Sequence, residues 1–135
     1  MAKNSPSSST TNLRPINLAW LDAHVYDENN KQLLDELRKI YQVCMEFVEE
    51  DECKRFLGRG IADPRRFILV VSGALGETLV PEIHEHSNIL SIYVYCSWRE
   101  KHEKWSRCYS KVKVVIKPDE LISGLKSDKK SYENA

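Results

Sequence analysis

The sequence predicts a single α/β domain, a flavodoxin-like three-layer sandwich on a parallel sheet of four or five strands. Three observations point there. Short apolar, β-branched runs alternate with amphipathic segments of about ten residues, the pattern of strand–helix units with parallel pairing and right-handed crossovers. Residues 67–71, FILVV, form the most hydrophobic run and are stopped by Ser72 and Gly73, which reads as a central strand buried on both faces. The chain has 135 residues, 41% of them hydrophobic, enough for one core and too few for two domains joined by a linker.

Each element follows from its local pattern. Residues 1–14 are Ser, Thr, Asn and Lys with almost nothing apolar, so burial cannot offset their ordering entropy and a disordered tail is expected. Residues 16–25, INLAWLDAHV, read as a first strand ending near Asp22. Residues 31–41 place Leu33, Leu34, Leu37, Ile40 and Tyr41 on one helical face. The segment VCMEF at 43–47 fits either a short strand or a continuation of that helix. In DECKRFL, Cys53, Phe56 and Leu57 share a helical face, with Gly58 and Gly60 as the stop. After the third strand, residues 77–86 read as a helix with Leu79, Val80 and Ile83 inward, and ILSIYVYC at 89–96 as the next strand. Residues 99–109 read as a charged helix, with Trp98, His102, Trp105 and Tyr109 in one stripe that packs on the sheet. VKVVI at 112–116 is the last strand, and Pro118 opens a final helix through Leu125. The domain is thus expected over 15–126, with a polar, disordered tail over 127–135. If VCMEF is a strand, the order of strand–helix units matches the 2-1-3-4-5 sheet.

Composition excludes several function classes. Twenty basic residues balance twenty acidic ones, so no field draws in nucleic acid or an anionic membrane. No apolar run approaches the roughly 20 residues that span a bilayer. The N-terminal residues have no apolar core of a secretory signal. The four cysteines are widely separated and are expected to be reduced, in a cytoplasmic setting.

In an open parallel sheet, ligands bind at the carboxyl ends of the strands. The candidates there are Asp22, then Ser72, Gly73, Gly76 and Glu77, then Cys96, Ser97 and Trp98, and finally Lys117. The turn Ser72-Gly73-Ala74-Leu75-Gly76 has backbone N–H groups that could cradle a phosphate, which would make the chain a nucleotide or small-ligand sensor. Its spacing is neither the dinucleotide fingerprint nor a P-loop, and the plainer account is that the glycines turn the chain and let helix and sheet approach closely. Asp22 and Lys117 resemble the acidic residue and lysine of a phospho-accepting receiver. Ser72 stands where a receiver carries its acceptor aspartate, and without that carboxylate no acyl-phosphate forms. Glu77 lies where a Toll/interleukin-type domain carries its NAD-cleaving glutamate, although a glutamate in a first helical turn also stabilises the macrodipole.

His84 and His86 would point about 200° apart on a helix and so cannot chelate together. With no C-x-x-C motif either, no metal and no cofactor are expected. Cys96 is expected to be a protonated, buried thiol. Arg99, Lys101, Lys104 and Arg107 are offset by Glu100 and Glu103, which fits a solvated, ion-paired helix surface better than a nucleic-acid interface.

Nine segments carry a family resemblance. They are W-L-D at 20–22, L-R-K-I at 37–40, D-E-C at 51–53, I-L-V-V-S-G-A-L-G at 68–76, L-V-P-E-I-H at 79–84, S-I-Y-V-Y-C at 91–96, H-E-K-W at 102–105, K-V-K at 111–113 and D-E-L-I at 119–122. Across residues 17–125 the chain resembles a receiver-like or Toll/interleukin-receptor-like α/β module of bdelloid rotifer proteins. There the module often precedes tetratricopeptide repeats or an arginine-type mono-ADP-ribosyltransferase domain. The resemblance implies an appended module, with any transferase activity residing in a region this sequence does not contain, and it supplies no catalytic residues. The expectation is therefore a non-catalytic protein-interaction module of the adaptor or signalling type. Its partner would be a second copy or another protein, met through the strand-end face or the charged helix. The alternatives are an NAD-cleaving enzyme using Glu77 and the ligand sensor at residues 72–76.

Overall fold

The computed structural model describes residues 15–58 and 64–133. The expected N-terminal tail and the stop at Gly60 lie outside the described residues. Among those residues, strands and helices alternate: β1 (Ile16–Leu21), α1 (Glu28–Ile40), β2 (Val43–Phe47), α2 (Glu50–Leu57), β3 (Arg66–Ser72), α3 (Gly73–Ile83), β4 (Ile89–Tyr95), α4 (Arg99–Ser106), β5 (Val112–Val115) and α5 (Pro118–Glu133). The strands are all parallel, in the order β2-β1-β3-β4-β5. This is the flavodoxin-like 2-1-3-4-5 sandwich.

Strand periodicity of two sorts the core into two layers. Leu18, Trp20, Ile68 and Val70 face one side, where Leu34 and Leu37 of α1 and Leu121 and Leu125 of α5 cover them. Ala19, Leu21, Leu69 and Val71 face the other, against Cys53 and Leu57 of α2 and Leu79, Val80 and Ile83 of α3. Both faces of the central strands are therefore covered, as FILVV requires. VCMEF is a strand: it pairs with β1, Leu18 opposite Cys44 and Leu21 opposite Phe47. As an edge strand it buries Cys44 and exposes Met45, which explains its mixed pattern.

Three expectations change. The helix after β3 starts at Gly73 instead of residue 77, because the Ser72 hydroxyl accepts a hydrogen bond from the Leu75 N–H at 3.4 Å and caps it. The glycine-containing stretch is thus the first turn of a helix and not a loop. The charged helix closes at Ser106, leaving Tyr109 in the following turn. The last helix continues to Glu133, and the polar tail expected over 127–135 is helical through that residue. Its physical reason is a buried polar contact: Asp128 Oδ2 accepts the hydroxyls of Ser91 at 2.9 Å and Tyr93 at 2.7 Å. Tyr132 adds a hydroxyl hydrogen bond to the Leu90 carbonyl at 3.1 Å.

Candidate functional site

The carboxyl edge of the sheet brings some of the predicted residues together and separates others. After β1, the Asp22 N–H donates to the Phe47 carbonyl at 2.9 Å, and its carboxylate accepts the His24 N–H at 2.8 Å. Asp22 is buried and shapes the turn. Burial raises the Tyr95 pKa and the Asp22 charge adds to it, which places these two groups near one another across the ends of β1 and β4. The Tyr95 ring also stands edge-on to Trp20, centroids 6.3 Å apart.

After β4, the Cys96 N–H continues the ladder to the Val115 carbonyl at 3.1 Å. Burial pushes the Cys96 thiol up, against smaller lowering effects of a backbone hydrogen bond from Trp98 and of the Arg99 charge. The thiol is protonated at neutral pH and is not an activated nucleophile. Ser97 is exposed. After β5, the backbone N–H groups of Ile116 and Lys117 donate to Glu120 Oε1 at 3.2 and 3.3 Å. Those hydrogen bonds, with Arg99 nearby, hold the Glu120 carboxyl below its ordinary range. Arg99 also donates to the Val114 carbonyl at 3.0 Å, blunting the outer edge of β5. The Lys117 side chain is exposed at this far edge, within the part of the rim that Arg99 and Glu120 organise.

The remaining predicted residues meet at the contact between α3 and α4. Gly73 faces the His102 ring so closely that a Cβ built on it would lie 2.1 Å from His102 Nε2. Gly76 faces Trp105, where the corresponding distance is 3.4 Å, with Val71 at 3.1 Å. Gly73 therefore serves a helix–helix approach, whereas Gly76 faces β3, the helix–sheet approach expected, as well as α4. His102 is only 7% exposed, and its Nδ1 accepts the Trp105 Nε1–H at 2.9 Å. Burial and the Lys101 charge lower its pKa, while Glu77 opposes them. Glu77 is exposed and falls in the second turn of α3, too far along to act on the first-turn dipole as expected.

Sequence reasoning missed the contact of His102 with Gly73. A signal was present: two glycines three apart on one helix and two large rings three apart on the next. The aromatic stripe is corrected as well. His102 is buried, and Trp105 and Tyr109 are partly buried, but Trp98 is 62% exposed at the N-cap of α4, with Lys101 Nζ 5.7 Å from its ring centroid. His84 packs against Tyr109, ring centroids 4.6 Å apart, and the His86 carbonyl accepts from Lys111 Nζ at 2.8 Å. Among the described residues no group of three or more His, Cys, Asp or Glu could hold a metal ion, and no helix is long and apolar enough to cross a membrane.

With this geometry in hand, comparison with known proteins adds no relative: no family model, no curated protein and no solved structure matches the chain.

Proposed function

We propose that the chain is a non-catalytic protein-interaction module of the signalling type, and that it associates with a second copy of itself through a face centred on Trp98. The exposure of that ring carries the reading. Trp98 is held outward at the N-cap of α4, whereas Trp105 within the same helix is partly buried against the core. A large aromatic side chain presented in this way is the kind of anchor that dominates interfaces.

Helix α4 and the turn after it carry Lys101, Lys104 and Arg107 interleaved with Glu100 and Glu103. The surface beside Trp98 thus bears both signs and does not repel a second copy by net charge. The strand-end side chains support the non-catalytic part of the reading, since Asp22 shapes a turn, Ser72 caps α3 and Glu120 ties down the start of α5. The nine-segment resemblance to an appended module supports it too, and the four free cysteines fit a reducing, cytoplasmic setting.

Light scattering behind a sizing column, over a wide concentration range, tests this. The expected result is a concentration-dependent dimer that Trp98→Ala abolishes while leaving the circular dichroism spectrum unchanged. A strict monomer at every concentration, or a dimer indifferent to Trp98→Ala, would overturn it.

A further inference from the structure

The two edges of the sheet are finished differently. On β5 the carbonyls of Lys111 and Val115 accept from β4, so the backbone groups of Val112 and Val114 face outward. There the Val112 N–H donates to the Tyr109 carbonyl at 3.0 Å, and the Val114 carbonyl accepts from Arg99 at 3.0 Å. The next outward N–H, that of Ile116, donates to Glu120 Oε1 at 3.2 Å. On β2 the Phe47 carbonyl accepts the Asp22 N–H. That phase turns the backbone groups of Val43, Met45 and Phe47 towards β1 and those of Cys44 and Glu46 outward. Among the described residues, neither the N–H nor the C=O of Cys44 or of Glu46 has a hydrogen-bond partner on that side.

This open edge is also apolar. Four large hydrophobic side chains are exposed among the described residues, and three of them, Tyr26, Met45 and Val48, lie on or beside β2. Met45 pairs with Ala19 and so stands on the α2–α3 side of the sheet. The Tyr26 hydroxyl donates to Glu46 Oε2 at 3.0 Å, and Glu46 pairs with Trp20, on the opposite side. Apolar surface thus flanks the unpaired backbone on both faces. Beyond Val48 the chain carries four consecutive acids, Glu49, Glu50, Asp51 and Glu52. The hydrogen bond to Glu46 raises the Tyr26 pKa and the Glu52 charge adds to it, so Glu52 stands close to this edge.

We propose that β2 is a docking edge for an extended, basic segment of another protein, which adds to the five-stranded sheet as an antiparallel strand. The outward N–H and C=O groups of Cys44 and Glu46 fix its register. Alternating β-branched side chains of the segment then pack beside Met45 on one face and Tyr26 on the other. Antiparallel pairing is the more stable arrangement per residue. It also sets the start of the segment beside Val48, where lysines meet the acids that follow. A second copy of this chain fits less well. It brings the same four acids, and the bases preceding its own β2, Arg38 and Lys39, are already paired with Glu46 and Glu36. This edge is remote from the Trp98 face, which adjoins β5 at the other end of the sheet, so either interface can fail without the other.

The test is amide chemical-shift mapping and hydrogen exchange of the intact chain, titrated with a synthetic peptide of alternating valine and threonine that begins with a run of lysines. One control peptide carries the lysines at its end instead, and another has glutamates in their place. In the free chain the Cys44 and Glu46 amides should exchange faster than those of Met45 and Phe47. Saturable shifts centred on Cys44 and Glu46, with their exchange slowed, are expected with the first peptide and much more weakly with either control. Glu52→Gln should weaken that peptide by up to about fivefold at low salt, the range of an exposed charge pair. Met45→Lys should weaken it about tenfold, by removing apolar contact on one face. The mapping needs no variant, so it decides the matter even if a substitution disturbs the fold. Shifts that do not saturate, that ignore the position or sign of the peptide's charges, or that centre away from β2 would overturn the assignment. Slow exchange of the Cys44 and Glu46 amides in the free chain would overturn it too, whether dilution relieves it, as for a second copy, or not.

Discussion

Gly73→Ala is the substitution that most directly probes the α3–α4 contact. The added Cβ would sit 2.1, 2.3 and 2.5 Å from three atoms of the His102 ring. Ordinary contact needs at least 3.4 Å, so the ring must retreat by roughly an ångström or more. It is held by the Trp105 hydrogen bond at 2.9 Å, and retreat breaks that bond. Overpacking costs about 1–3 kcal/mol and the lost hydrogen bond about 1 kcal/mol. Alanine returns at most about 1 kcal/mol of helix propensity. The net expectation is a destabilisation of about 2 kcal/mol, a Tm lower by roughly 6–10 °C for a domain of this size. Urea denaturation followed by circular dichroism reads it as a lower midpoint at unchanged slope. The companion is a double-mutant cycle with His102→Ala, where the pair should cost about 1–2 kcal/mol less than the sum of the single changes. A neutral or stabilising Gly73→Ala, or strict additivity, would refute the reasoning.

Three further outcomes are expected. Asp128→Leu leaves the hydroxyls of Ser91 and Tyr93 without their buried acceptor and should cost about 2–4 kcal/mol by urea denaturation, whereas a disordered tail there would make it neutral. Acid should weaken the fold partly through His102: its folded pKa lies below the ordinary 6.5, so the unfolded chain binds more protons in the window beneath 6.5. Stability from this group is complete above 6.5 and declines as pH falls towards the folded value, and His102→Gln should flatten that part of the pH–stability curve. At the alkaline end, burial pushes the Cys44 thiol up to about 11 and the Cys53 thiol up to about 12, from an ordinary 9.0. The folded chain holds those protons after the unfolded chain has released them, so stability should fall above pH 9. Thiol labelling of the native protein should modify exposed Cys108 first and Cys53 last.

Some of this was legible in the sequence because it is written locally. FILVV announces β3 since both of its faces are covered, so no polar position interrupts the run. VCMEF stayed ambiguous for the opposite reason: an edge strand with Cys44 inside and Met45 outside satisfies neither period cleanly. The C-terminal extension of α5 was illegible because Asp128 and Tyr132 read as solvent-facing until their partners are known. Those partners, Ser91, Tyr93 and Leu90, lie 35 to 42 residues away. A polar residue becomes a core residue only when the fold delivers its acceptor or donor, and no local pattern records that delivery.

The candidate site is an intermediate case. Residues 72–76 read as a loop because glycine weakens helices, and what overrides that weakness is partly local, the Ser72 cap, and partly remote, the rings of α4. Gly73 and Gly76 repeat at the spacing that puts them on one side of α3, and His102 and Trp105 repeat at the same spacing on α4. Small positions on one helix opposite large rings on its neighbour let the backbones approach while both rings remain in contact. The glycines and the rings are therefore two halves of one packing arrangement. That is why a larger residue at Gly73 should be better tolerated only when His102 is made smaller, and why neither half alone was enough to identify the contact.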